Sequence, residues 1–224
     1  MEQSTAVEGR SEAHVAQALE PAIELIGLQR EFGDRTALEG VDLRVDRGAS
    51  VAILGPNGSG KSTLLRLLAG LLRPSGGEAS VLGCSLPKET HRLRGRVGYL
   101  GHEPLLYRDL SPRENLGLTA ALHGLGEEAG ARIEALLESV GMSARAGDRV
   151  AELSAGMRQR VDICRAVLHE PELLLLDEPD AHLDTEARRR VAPLISAGEE
   201  RTRMMVSHDR AVATAGADFV LELG

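Results

Sequence analysis

Apolar and polar positions along the chain alternate between short strand-like runs and helical stripes. From Ala22 the pattern is strand-like, with Ile23, Leu25 and Leu28 leading to Phe32. Val41-Asp42-Leu43-Arg44-Val45-Asp46 alternates as a half-exposed antiparallel strand does. Val51-Ala52-Ile53-Leu54 is a continuous apolar run that reads as a buried strand. Leu64, Leu65, Leu68, Leu71 and Leu72 follow as a helical stripe that Pro74-Ser75-Gly76-Gly77 ends. Val97-Gly98-Tyr99-Leu100 predicts another short buried strand. Ser111-Pro112-Arg113-Glu114 is a capping box with proline at the first helical position, so a helix begins there. Ile133, Leu136, Leu137 and Val140 mark a further helix, and residues 104–145 read as a mainly helical lobe inserted into an α/β core. Leu153-Ser154-Ala155-Gly156 opens a helix with Met157, Val161, Cys164 and Leu168 on its apolar face, stopped by Pro171. Leu173 to Leu176 suits a central parallel strand. Ala187, Val191, Leu194 and Ile195 form a last helical stripe, and Met204 to Val206 and Phe219 to Leu223 are strands. Residues 1–20 read as a loose tail and 21–224 as one α/β domain.

The 224 residues suffice for one such domain with a sizeable core. Aromatics are only 2 %, so that core is built from Leu, Val, Ile and Ala. A net charge of −8 argues against a broad electrostatic footprint for DNA or RNA, and no nucleic-acid partner is expected. Cys84, in a predicted turn, and Cys164, on a helical stripe, lack metal-ligand spacing and read as free thiols of a reducing compartment. No apolar run approaches the roughly 20 residues of a membrane span. The polar, Ala/Glu-rich start has no secretory-signal pattern. These features predict a cytosolic protein that reaches a membrane only through a partner.

The chemistry concentrates at strand ends. Gly55-Pro56-Asn57-Gly58-Ser59-Gly60-Lys61-Ser62-Thr63 lies between a buried strand and a helix, the setting of a phosphate-binding loop. Its glycines let successive amides converge on one anion, and the helix points its partial positive end at it. Lys61 is suited to the β- and γ-phosphates, and the Ser62 hydroxyl to Mg²⁺. Lys61 and Lys88 are the chain's lysines among a large excess of arginine, so a compact ammonium stands where one is wanted. Asp177 and Glu178 follow the leucine strand: Asp177 is suited to hold Mg²⁺ and Glu178 to orient or deprotonate water, or the pair simply ends the strand. His208, after another strand, is either a structural histidine or one that contacts a γ-phosphate. Phe32, before Gly33, either stacks on a base or closes a strand end. The Ser154-Ala155-Gly156 turn is a second anion-binding element or a plain N-cap.

Together these motifs resemble the nucleotide-binding subunits of ATP-binding cassette (ABC) transporters, from about residue 22 to the end. In that family Gly55 to Thr63 matches the Walker A loop, Leu173 to Glu178 Walker B and Leu153 to Met157 the signature motif. Ala181-His182-Leu183-Asp184 matches the D-loop, His208 the switch histidine and Phe32 the adenine-stacking aromatic. The resemblance implies a P-loop NTPase core with a mostly parallel sheet, an antiparallel N-terminal β-subdomain and a helical lobe over about 103–168. It implies Mg²⁺ and ATP as ligands, with each nucleotide lying between Walker A of one subunit and the signature (Ser154, Ala155, Gly156) and Asp184 of the other. It also implies a second ATP-binding subunit, as a homodimer, and a polytopic membrane partner docked near Leu105 to Leu118 on the cytoplasmic face. His102 stands where most members have the glutamine that links Mg²⁺ and water to the lobe, and the signature is Ser154-Ala155-Gly156-Met157 in place of Ser-Gly-Gly-Gln. Gly101-His102, Leu110 to Leu116 and the Leu-Ser-Ala-Gly turn are similar to the ATPase of the cytochrome c maturation haem exporter. ATPases of other small exporters, for drugs, lipids or polysaccharide, and soluble non-transport ABC ATPases are the alternatives.

Overall fold

The computed structural model describes residues 20–198, 200–207 and 210–224; the predicted tail, apart from Glu20, and His208 lie outside the described residues. In chain order these form β1 (Ile23–Phe32), β2 (Arg35–Val45), β3 (Ser50–Leu54), α1 (Lys61–Leu68), β4 (Gly76–Val81) and β5 (Cys84–Ser85). Then follow β6 (Val97–Leu100), α2 (Pro112–Leu122), α3 (Ala129–Ser139) and α4 (Ala155–Val167). The chain closes with β7 (Leu173–Asp177), α5 (Thr185–Val191), β8 (Thr202–Val206), α6 (Arg210–Thr214) and β9 (Phe219–Glu222).

Two sheets organise them. One is antiparallel, in the order β2-β1-β4-β5; the other has the order β6-β7-β8-β3-β9 with every pairing parallel. The parallel strands read as unbroken apolar runs because both of their faces are covered. Side chains alternate across a strand, so Leu173 and Leu175 of β7 enter one core while Leu174 and Leu176 enter the other. The first core holds α1 and the antiparallel sheet, through Leu64, Leu65, Leu68, Ile23 and Val81. The second holds the helical lobe, through Leu116, Ile133, Leu137, Val161 and Cys164. A buried ion pair stitches that lobe to the sheet: Arg165 Nε donates to Asp162 Oδ1 at 2.5 Å and its second arm to Tyr99 O at 2.6 Å. Burial pushes the Asp162 carboxyl upward against the pull of Arg165. Below the sheets, Glu172 bonds both Arg96 and Arg47, and Arg96 holds its carboxyl well below the usual range, at about 2.

Several local expectations hold and some shift. The capping box at Ser111 is formed with both reciprocal bonds, and Pro112 is the first helical residue. The α1 helix ends earlier than its leucines predict. Gly70 takes φ +72, and the amides of Gly70 and Leu71 close back on Leu67 O and Arg66 O, a Schellman ending that leaves Leu71 exposed. Leu194 and Ile195 likewise lie beyond the end of α5, in a turn. Cys84, expected in a turn, begins the two-residue strand β5 and is buried. Among the described residues no helix is long and apolar enough to cross a membrane.

Candidate active site

The carboxyl ends of β3, β7 and β8 open on one cleft of about 540 Å³. The carboxyl edge of a parallel sheet is where ligands bind in such folds. Its walls carry Phe32, Asn57, Lys61, Ser62, Asp177 and Glu178 among others, so residues far apart in sequence converge as the strand ends predict.

The loop after β3 owes its shape to glycine. A Cβ on Gly55 would fall 2.2 Å from Leu223 O, and one on Gly60, at φ +92, 2.3 Å from Ala37 O. The backbone is thereby wrapped against β2 and the segment after β9. Lys61 Nζ donates to Gly55 O at 2.8 Å and Pro56 O at 2.7 Å, which braces the loop and leaves one of its three protons for an anion.

Asp177 ends β7 with 1 % exposure, and its Oδ2 has no hydrogen-bond partner among the described residues. A buried carboxylate oxygen in that condition fits a hard cation, and Ser62 supplies a second oxygen in the same cleft. Among the described residues no cluster of three or more His, Cys, Asp or Glu could hold a metal, so a cation here would lean on phosphate oxygens as Mg²⁺ usually does.

Glu178 stands in the left-handed region, at φ +56, an uncommon place for a residue with a side chain. Its N–H donates to Val206 O at 2.9 Å. His102, two residues beyond β6, faces it, with Nδ1 3.7 Å from Glu178 Oε2. The Arg165 bond to Tyr99 O fixes the backbone just before His102.

Phe32 is 45 % exposed at the cleft edge, and one face of its ring is covered by the Arg30 guanidinium, 4.3 Å from the centroid. Arg30 is tied in turn to Arg73 O, so one face of the ring is backed by a fixed cation.

The Ser154 turn is elsewhere. Ser154, Ala155, Gly156 and Asp184 line a separate surface with Met157, Arg160 and His182. Ser154 Oγ accepts from Met157 N at 3.3 Å, the N-cap of α4, and Asp184 Oδ1 accepts from Ala187 N at 2.7 Å, the N-cap of α5. A Cβ on Gly156 would lie 2.5 Å from His182 O, so this glycine lets the 178–184 segment pass close under the turn.

Three cleft residues escaped the sequence reading. Arg35 and Arg66 add positive charge to the walls, and Ala37 also lines the cleft. Gln159 was also missed: it is buried inside α4 and donates to Glu178 O at 3.2 Å. A polar residue one turn into a helix that packs under a fully buried strand was the available signal.

Comparison with known proteins agrees with this arrangement. The ABC transporter family profile matches residues 38–181. The daunorubicin resistance ATP-binding protein DrrA3 of Streptomyces coeruleorubidus is 43 % identical over 171 residues, 76 % of this chain and 54 % of that protein. The aliphatic sulfonates import ATP-binding protein SsuB of Burkholderia ambifaria is 42 % identical over 205 residues, 89 % of this chain and 60 % of that protein. The chain thus spans about half to three-fifths of the length of these two relatives. A solved dimeric ATP-binding cassette in a post-hydrolysis state, bound to ADP and Pi, superposes with a TM-score of 0.81 at 27 % identity, covering 90 % of this chain and 94 % of that one. With the profile spanning well over half of its length, the chain belongs to the ABC transporter family.

Proposed function

We propose that this chain is the ATP-hydrolysing part of an exporter, closing on a second copy of itself when it binds Mg²⁺ and ATP. The observation that carries the reading is the separation of the cleft from the Ser154 turn: within one chain the two surfaces share no lining residue. Two copies face to face give each nucleotide a floor from one chain and a lid from the other.

The residues divide the work. Phe32 stacks on the base, and Gly55 to Thr63 with Lys61 grip the phosphates. Ser62 and Asp177 hold Mg²⁺, with His102 beside them; the cation neutralises charge on the phosphate oxygens. Glu178 orients the attacking water and takes its proton, with His102 facing it, and His208 is assigned from the sequence alone to the γ-phosphate. Loss of the γ-phosphate removes the link between the two copies.

Leu105, Tyr107, Leu118 and Leu122 are exposed on the lobe, and Asn115 bonds the backbone of Tyr107 and Ser111 between them in sequence. A polytopic membrane partner docks there, which places the chain at the cytoplasmic face. For the cargo, the likeness at Gly101-His102 and the Leu-Ser-Ala-Gly turn supports haem export in cytochrome c maturation. The daunorubicin-resistance relative supports another small molecule. The polytopic protein that copurifies from membranes decides between them.

The experiment is Glu178→Gln with Mg²⁺-ATP. Turnover is expected to fall at least about 100-fold, in the range seen when a general base is removed, and the chain to run as a dimer by size-exclusion with light scattering. A monomer with ordinary turnover overturns the reading.

A further inference from the structure

Glu178 sits in a backbone conformation it does not favour. Residues with a Cβ rarely hold a positive φ, and a residue before proline is pushed toward extended geometry; Glu178 has φ +56 and is followed by Pro179. The conformation has a use. A strand continuing past Asp177 would send the next side chain to the opposite face, whereas the turn keeps Asp177 and Glu178 in one cleft.

Two neighbours hold that turn. On one side the Glu178 N–H is bonded to Val206 O of β8. On the other, Gln159 of α4, 3 % exposed, aims its Nε2 at Glu178 O, 3.2 Å away, and Pro179 O, 3.3 Å away. Each residue has only two soft backbone dihedrals, so fixing the peptide on both sides fixes the direction of the Cα–Cβ bond. The Ala181 N–H also donates to Glu178 O, at 3.1 Å, and closes the turn locally, while Gln159 ties it to α4.

We infer that Gln159 is a positioning residue for hydrolysis: by bonding the two carbonyls after Asp177 it holds the Glu178 carboxylate on the attacking water. This rests on the assignment of Glu178 as the base. Without the Gln159 donor the turn keeps its local Ala181 bond but loses its tie to α4, and a displacement of about 1 Å is enough to cost up to about two orders of magnitude in rate.

The test compares Gln159→Leu, which keeps the size and removes the donor, and Gln159→Glu, which presents an acceptor to two carbonyls. Each is made in the wild-type chain and with Glu178→Gln. Steady-state Mg²⁺-ATP turnover, thermal melting and binding of a fluorescent ATP analogue are measured. The expected result is a fall in kcat of about tenfold or more, with KM and analogue affinity within about twofold and melting unchanged. In the Glu178→Gln background neither change should lower turnover further, because both act through one group. An unchanged kcat overturns the inference, as does a joint fall of kcat, affinity and melting temperature, additivity with Glu178→Gln, or failure of both variants to fold. Ordinary turnover by Glu178→Gln alone instead overturns the assignment of the base.

Discussion

The phosphate cleft and the Ser154 turn are both places where a helix begins beside a glycine, yet they are built differently. In the cleft the glycines, Gly55 and Gly60, press against this chain's own carbonyls, Leu223 O and Ala37 O, and cations and acids stand around the loop. At the turn, Gly156 presses against His182 O, while the surface offers Ser154, Arg160 and the carboxylate of Asp184, whose Oδ1 is engaged in capping α5. Under the proposed function the first binds by itself and the second completes a site that another molecule brings, so damage to each should appear in a different measurement.

The largest effect belongs to the cleft. Lys61→Ala removes a charge-assisted contact worth about 1.5–3 kcal/mol, so nucleotide affinity of the isolated chain should fall by one to two orders of magnitude in a direct binding assay. Lys61→Arg should not restore it, since a planar guanidinium does not fit among the Gly55 and Pro56 carbonyls that the ammonium bonds. Unchanged affinity in the alanine variant would erase the distinction between the two regions.

At the turn the prediction is reversed. Gly156→Ala places a Cβ where His182 O stands, so the turn or the 178–184 segment must move. Turnover should fall about tenfold or more through misplacement, while ATP-analogue affinity of the isolated chain stays at its wild-type value. A matched loss of affinity would mean that the turn belongs to the same chain's nucleotide.

This division also explains what was legible in the sequence. The loop could be read because its glycine spacing answers to local backbone geometry, and β3, β7 and β8 because burial on both faces removes polar residues from them. β4 could not: Gly76 to Val81 has no apolar alternation, and it is a strand because β1 pairs with it. The end of α1 was misplaced because Leu71 and Leu72 continue the apolar spacing past Gly70, whose left-handed φ is what stops the helix. Arg35 and Gln159 were invisible for a different reason. Their places depend on which elements pack together, β1–β2 on the loop and α4 on β7, and no local pattern encodes that.

A smaller effect sharpens the cleft side. Arg30 covers one face of Phe32, and the proposed function gives the other to the base. Base–aromatic stacking is worth about 1–3 kcal/mol, and the cleft edge is half open, so Phe32→Ala should raise the dissociation constant about fivefold, the low end of that range. Turnover at saturating ATP should be kept, because the ring contributes to binding and not to the reacting phosphate. A fall in kcat with unchanged affinity would place Phe32 outside the base site.

The smallest effect perturbs the other region through solvent. Just past the end of α4, His169 stacks on His123 with ring centroids 4.0 Å apart, and its Nε2 lies 3.1 Å from Val97 O, so Nε2 carries the proton. Burial lowers the His169 pKa to about 4, helped by the facing His123 and by Arg165 and Arg132. The folded chain therefore binds this proton more weakly than the unfolded chain, whose histidine titrates near 6.5. Its contribution to stability is full above about pH 6.5 and is lost as pH falls toward 4. His169→Gln keeps a donor for Val97 O but cannot titrate. Its melting temperature should therefore fall less steeply than that of the wild type between pH 6.5 and 4, a window bounded by the two pKa values. Because His169 is outside the cleft lining, ATP-analogue affinity at pH 7.5 should match the wild type. Parallel melting curves at every pH would show that the stacked pair is already protonated or already solvated, and that acid reaches the signature helix by another route.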